Sequence, residues 1–515
     1  TRRNFRLNSR ADQHLTFTWC AHIQVEKHNE TVKQNRAFLN RLIDVTSLLD
    51  RQELSFRGHD ESSTSSNKGN YRKFTETLSK YDSVLATQFQ SSAVFSGMSH
   101  SIQNDLISAL AATVSDEIRD EIQAAPFFGW QVDETTDIAC CTQLSVIVRY
   151  VDSAGKIQER FIGFFDVSEG RDTQSVFEVL NENMQGYNFK DKLVAQTYDG
   201  AAVMASALNG RKVKAIAPSA MFVHCYAHRL NLVLSQGAKC LSESRIFFAS
   251  LSGFATFFSK STKRTSFLES ADKTMDDDTL DCAKGFVMKL DDFEFVFMLY
   301  TYEQIFSETD VVFDIVQQRP MDVLFCKKRR SEGAFQAIYD KAASLTSDPC
   351  DEPMRKRRLS QLQDPKERYR NLYMAILKCL MEQIPLRFSN LESLRFLELV
   401  NPGKFADMRD VFPEEAFQSL LKNMELDSAM PQLYKLLSLV ATIGATSAGV
   451  ERSFSCLKRL KSYTSNTMGQ GRLSSLALLA IERTLVKFLE KTPTWYDKVT
   501  DHFLKKERRA EFTFK

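Results

Sequence analysis

The sequence predicts an α/β core: a mixed five-stranded sheet with helices on both faces, interrupted by a large all-α segment and preceded by a helical N-terminal region. Three observations carry this. After Pro126, three β-branched and aromatic runs follow one another at 127–134, 143–151 and 157–167, and DSAG, a hairpin signal, joins the last two. The stretch 191–232 then reads as strand, turn, helix, loop, strand, helix. Beyond it, roughly 239–435 is almost wholly helical in pattern, with long Phe- and Leu-rich amphipathic runs.

In chain order, Val32, Phe38, Leu39, Leu42, Ile43, Val45 and Leu48 recur at helical spacing. The segment 56–70, FRGHDESSTSSNKGN, reads as a polar loop, and helical pattern returns over 71–85 and 101–124. The sheet region gives the order β-β-β-α-β-α-β-α, which is ribonuclease H-like. Two stretches break the helical region: acidic TMDDDTLDC (274–282) and loop-like 344–358. Near the end, 432–485 gives an apolar helix, a small-residue loop and two more helices, with Thr446 or Ser447 able to cap the helix that carries Glu451. The expected divisions are a helical region at 1–125, the two parts of the sheet domain at 126–238 and 436–490, the helical segment at 239–435, and a charged peripheral tail at 491–515.

Length and composition bound the possibilities. The 515 residues suggest roughly two to four domains. No apolar run approaches the roughly 18 residues of a membrane span. The chain begins TRRNF, which predicts a piece of something longer. Cysteines are scattered without a pairing rhythm, as suits a reducing compartment. A net charge of +2 gives no whole-protein basic field, but basic residues cluster, among them Arg211, Lys212 and Lys214, and Lys458, Arg459 and Lys461. Such clusters can touch phosphate, act as nuclear-import signals, or simply solvate helix faces.

Three acids stand out. Asp133 ends the first strand, Asp199 ends the fourth, and Glu451 lies far downstream on a helix. First and fourth strands are neighbours in this order, so Asp133 and Asp199 fall side by side, and a third acid would complete an oxygen-donor site for two divalent ions. One such acid alone would be an ordinary loop residue; Glu134 and Asp137 are expected to cap or support. Cys225 and His228 form CxxH, half a zinc site, and no second pair completes it. His228 can instead bond a phosphate or a catalytic acid, or be a buried histidine at a helix start. His59, Asp60 and Glu61 sit in the polar loop, where a phosphate contact is a better reading than a metal.

At these residues the chain resembles the hAT superfamily of DNA transposases, in the branch whose members are similar to zinc-finger MYM-type and TTF-type proteins. The matching blocks are FRGHDES with NKGNY, QNDLI, FFGWQVDETTDI, QLSVIVRYVD, TYDGAAVM, VHCYAHRLNLVL, FFSKSTKRTSFL and SAGVERSFSCLKRLKSYTSNTMGQGRLSSLALLAIER, in the family's order. The resemblance implies a DDE triad of Asp133, Asp199 and Glu451 holding Mg²⁺, with Mn²⁺ able to substitute. It implies Cys225, His228 and Arg452 as active-site support, and the helical region as the family's insertion domain. The implied activity is cut-and-paste transposition: a nick at the transposon end, a hairpin on flanking DNA, then strand transfer into target DNA. The alternative is a domesticated, catalytically silent DNA-binding or chromatin protein. DNA contact is expected at Arg57, His59, Arg211, Lys212, Lys458, Arg459 and Lys461. A nuclear homodimer or higher homo-oligomer is expected, with the apolar face of Leu473, Leu476, Leu479 and Ile481 read as a dimerisation surface in preference to an ordinary core helix. Two departures stand out: no Trp occurs between Trp130 and Trp495, where the family carries an Arg-Trp pair, and no N-terminal zinc-finger set is visible.

Overall fold

The computed structural model describes residues 8–62, 64–91, 97–170, 172–199, 207–260, 277–318, 332–346, 364–388, 431–444, 446–461 and 468–506. Five strands form one mixed sheet in the order β3-β2-β1-β4-β5: β1 is Phe128–Thr136, β2 Thr142–Val151, β3 Ile157–Asp166, β4 Leu193–Tyr198 and β5 Met221–His224. The first three are antiparallel neighbours, whereas β4 runs parallel to both β1 and β5. The sequence therefore placed the strands correctly.

Local chemistry explains the connections. In the β2–β3 hairpin, Asp152 Oδ1 accepts the N–H groups of Ala154 and Lys156 at 3.0 and 2.8 Å, and Gly155 supplies the positive φ of 71° that the turn requires. The crossover from β3 to β4 runs through helix Thr173–Met184, capped by Asp172, whose side chain accepts the N–H groups of Gln174 and Ser175. Strand β2 is buried along nearly its whole length, as a central strand covered on both faces must be. Trp130 of β1 donates through Nε1 to the Tyr198 hydroxyl at 3.3 Å, and that hydroxyl donates to Gln196 Oε1 at 3.0 Å, so these buried polar atoms are paired.

One continuous apolar core runs from Phe38 to Phe503. It joins the end of the long helix Asn8–Arg51, the helix His100–Ala124, the sheet, and the C-terminal helices Gln470–Ile481, Arg483–Leu489 and Trp495–Leu504. The N-terminal helices are thus continuous with the sheet's own core. The stretch after Lys491 corrects an expectation: it is no peripheral tail as far as Leu504, because Trp495, Val499 and Phe503 recur every four residues and are 1%, 0% and 1% exposed. Leu473, Leu476 and Leu479 are likewise buried in the chain's own core, at 0%, 5% and 1% exposure, with Ile481 partly buried against it. That face is spent inside the subunit.

Between β5 and the C-terminal part, the described residues form helices Tyr226–Cys240, Ser242–Ser259, Asp277–Leu290, Phe293–Gln318, Glu332–Leu345 and Pro365–Phe388. They pack through two further apolar clusters, one around Phe297, Phe335 and Tyr369, the other around Val233, Phe247, Tyr302 and Ile376. The basic runs at 327–330 and 355–358, and residues 274–276 of the acidic stretch, lie outside the described residues.

Candidate active site

The parallel register of β1 and β4 pairs Val132 with Tyr198, so Asp133 and Asp199 follow as neighbours where the two strands point. Asp133 is buried, 9% exposed, and its Oδ1 accepts the N–H of Glu134 at 2.8 Å. Its carboxyl is pushed up to about 8, first by burial, then by the charge of Asp199, with Glu451 and Glu134 adding to the effect against that one hydrogen bond. Both distant acids therefore act on the same buried carboxyl. Asp199 is half-buried and Glu451 exposed.

Glu451 is brought there by the helix Ala448–Leu460, whose docking is dictated by small residues. Gly449 presses so closely on the sheet that a Cβ would lie 3.1 Å from both Gln131 Oε1 and Ile147 Cδ1 and 3.2 Å from Glu159 Oε2. Ser145 of β2, the cross-strand partner of Asp133, shares a 2.7 Å hydrogen bond with Ser453. The Ser453 hydroxyl itself donates to the Val450 carbonyl at 2.6 Å, so Ser145 is the donor between them. Phe454 stacks on Phe164, and Thr197 of β4 donates to the Gly444 carbonyl at 2.7 Å. Ser447 occupies the N-cap position, but its side chain caps nothing: its buried Oγ has no hydrogen-bond partner.

Cys225 ties these parts together. Its N–H donates to the Tyr198 carbonyl at 2.8 Å, just before Asp199, and its Sγ accepts the Ser447 N–H at 3.3 Å, just before the helix of Glu451. It is fully buried. His228 is half-buried on the first turns of helix Tyr226–Cys240. His224, which sequence reading missed, feels the charge of Asp199: burial, then the charges of Arg229 and His228, bring it down to about 4 against the pull of Asp199. Its imidazole is neutral at neutral pH. The overlooked signal was its spacing, four residues before His228 across the strand–helix junction. Arg452 faces another way, its Nη2 donating to Glu159 Oε2 at 3.0 Å.

The donor set is all hard oxygen, as Mg²⁺ or Mn²⁺ prefers, and the negative charge crowded on Asp133 is what a divalent cation would relieve. Among the described residues, no three His, Cys, Asp or Glu side chains stand close enough to hold one ion as they are. The residues suit a divalent metal in donor type, but among the described residues they do not converge on one ion position.

The basic candidates separate. Arg57, His59 and Lys458 are exposed. Lys212 donates to Gln174 Oε1, and Arg211 lies in helix Ala207–Ile216 with its side chain outside the described residues. Arg459 is engaged by Glu53. Lys461 corrects an expectation: it is 5% exposed and buried in an ion pair with Asp137, so it offers no charge to a ligand. Asp137 in turn accepts the N–H groups of Ala139 and Cys141, which makes it a structural anchor of the β1–β2 turn.

Two family matches bear on this arrangement. Residues 8–210, which include Asp133 and Asp199, match the family described as ZMYM1/FAM200, RNase-like domain, and residues 404–485, which include Glu451, match the hAT family C-terminal dimerisation region. Two separate parts of the chain are thus similar to these two families. Among curated relatives, the 52 kDa repressor of the inhibitor of the protein kinase of Homo sapiens is 23% identical over 242 residues, 44% of this chain and 31% of the relative, and the Mus musculus protein of that name aligns to the same extent. The zinc finger BED domain-containing protein RICESLEEPER 3 of Oryza sativa subsp. japonica is 28% identical over 99 residues, 18% of this chain and 13% of the relative. The chain thus spans 31% or less of the length of those relatives.

Proposed function

We propose that the chain is a metal-dependent DNA strand-cleaving and strand-joining enzyme, a cut-and-paste transposase of hAT type. The observation that carries this reading is the effect of Asp199 and Glu451 on one buried carboxyl, Asp133, which follows the last pair of the parallel β1–β4 ladder and lies within β1. Asp133, Asp199 and Glu451 would hold the metal. When bound, two divalent ions supply activation of the attacking oxygen and stabilisation of the leaving oxygen in phosphoryl transfer. Around them, Cys225 fixes the spacing of the Asp199 and Glu451 segments. His224 presents a neutral ring, able to hydrogen-bond a phosphate oxygen or water through whichever nitrogen bears the proton. Gly449 lets the Glu451 helix approach closely. Water opens the strand at a transposon end, a hairpin forms on flanking DNA, and the freed 3′-hydroxyl attacks the target. In this reading the helices between β5 and the 431–442 segment are an insertion domain, Arg452 steadies Glu451 by its grip on Glu159, and the protein works in the nucleus as a dimer or larger homo-oligomer.

A second reading is a domesticated DNA-binding or chromatin protein without catalysis. Two curated relatives are named repressors, and the acids as they stand do not close around one point. One assay separates the two. Incubation of labelled terminal-inverted-repeat duplex with Mg²⁺ or Mn²⁺ gives nicks and hairpins that vanish in Asp133→Ala and Glu451→Ala if the chain is a transposase. Binding without cleavage gives the domesticated reading, and erosion from any free end points to an exonuclease.

A further inference from the structure

Many arginines of this structure are neutralised: Arg41 by Asp82, Arg51 by Glu490, Arg72 by Glu61, and Arg160 by Glu121 and Glu482. Arg57 and Arg472 differ. Arg57 Nη2 donates to Asn104 Oδ1 at 3.0 Å, and Arg472 Nη1 donates to the same oxygen. Two cations therefore share one neutral acceptor, and among the described residues neither has an ion-pair partner. The acid that acts on Arg472 is Asp50, which is 3% exposed and whose two carboxyl oxygens have no hydrogen-bond partner. Burial pushes that carboxyl well above the usual carboxylate range. Arg472 is itself brought down to about 10, first by its own burial and then by Arg57, with Asp50 opposing.

The scaffold beneath is rigid. The Arg472 guanidinium lies over the Phe56 ring, 5.3 Å from its centroid, and Phe56 stacks on buried Tyr71. The two ends of the 56–70 loop cross at Gly58 and Gly69. A Cβ on Gly69, whose φ is 84°, would lie 2.3 Å from the Gly58 nitrogen, and one on Gly58 would lie 2.4 Å from the Asn67 carbonyl oxygen. The Tyr71 N–H closes the crossing on the Phe56 carbonyl at 3.0 Å. Of the two acids of this loop, Glu61 is taken by Arg72 at 3.1 Å and His100 at 2.8 Å, and Asp60 accepts the Ser62 N–H and hydroxyl, both at 2.9 Å.

We propose that Arg57 and Arg472 form an oxyanion site for a backbone phosphate of DNA. Asn104 holds the two guanidiniums together, and their remaining N–H donors take the phosphate oxygens in the forked geometry that guanidinium and phosphate share. The site rests on the DNA-binding part of the function above only for the source of the phosphate; it needs no cleavage. Exposed His59 lies two residues from Arg57 on the same loop, where the rest of a strand would pass.

The test uses the full chain and three proteins: wild type, Arg57→Gln, which alters an exposed side chain, and Asn104→Asp, which places a carboxylate between the guanidiniums. Thermal unfolding is followed in sodium phosphate against sodium chloride at matched ionic strength, and duplex DNA binding is followed against salt. The expected result is phosphate-specific stabilisation of wild type that both variants lose, while Asn104→Asp unfolds at a higher temperature than wild type without phosphate. Arg57→Gln should also reduce the slope of log affinity against log salt by about 1. Phosphate stabilisation that persists in both variants, or is missing in wild type, overturns the site. Phosphate effects lost as expected but with an unchanged DNA salt slope overturn DNA as the source of the anion. Absence of nicking in the assay above alters none of these outcomes.

Discussion

Cys225 Sγ accepts the backbone N–H of Ser447 at 3.3 Å, so the residue after β5 holds the start of the helix that carries Glu451. The same residue's N–H holds the end of β4 before Asp199. Both groups are buried, and a buried N–H left without an acceptor is destabilising. Cys225→Ala should therefore lower stability by about 1–3 kcal/mol, measured by urea unfolding, and should depress any Mg²⁺-dependent nicking further than binding. Cys225→Ser keeps an acceptor and should recover part of both. Equal behaviour of the Ala and Ser variants would show that the thiol fills space and positions nothing.

Glu159 is the hub on the other side of that helix. It accepts from Gln131 at 3.0 Å, Arg149 at 2.9 Å and Arg452 at 3.0 Å. Burial raises its carboxyl, but Arg149, Gln131 and Arg452 together outweigh burial and hold it below the ordinary glutamate value of 4.5. Because the folded value is the lower one, the stabilisation is present above pH 4.5 and is lost as pH falls through the depressed folded value. Glu159→Gln should cost about 2–3 kcal/mol at neutral pH and flatten the acid limb of a stability–pH curve. An acid limb as steep as wild type would remove Glu159 from the account.

Much of this was legible in the sequence, for physical reasons. The β-branched runs and the DSAG turn specify strands locally, and the β-β-β-α-β order permits few sheets, so Asp133 beside Asp199 could be read without coordinates. What escaped depends on partners remote in sequence. Lys461 looks like one member of a solvated basic run, and only the fold brings Asp137 to bury it. Trp495, Val499 and Phe503 lie in a charged stretch whose apolar face has a period of four, and net charge masked that period. His224 offers in the sequence only its spacing from His228, and its place near Asp199 appears once β5 is paired with β4.

The buried Asp137–Lys461 pair gives the next expectation. Removing one partner leaves a charge in the interior, at a cost of about 3–5 kcal/mol. Lys461→Ala should be severely destabilised, whereas Lys461→Met with Asp137→Asn, which keeps an acceptor for the turn, should regain much of that loss. The double variant should bind DNA with the salt dependence of wild type, since Lys461 is not on the surface. A reduced salt slope in the double variant would return Lys461 to the contact surface.

The C-terminal leucines decide where self-association can occur. Leu473 is 0% exposed and Leu479 1%, packed in the core shared by the helix His100–Ala124 and the sheet. Truncation of a side chain so placed should unfold the subunit, with Leu473→Ala losing about 2–5 kcal/mol. If that face is internal, the loss is the same at low and high protein concentration, because no association equilibrium is linked to it. Phe488, 65% exposed on the next helix, gives the contrast. Phe488→Ser should leave monomer stability within about 0.5 kcal/mol of wild type, so any change in sedimentation reports on contact between subunits alone. A Leu473→Ala protein that stays folded but sediments as a smaller species would move the leucine face back to the subunit interface.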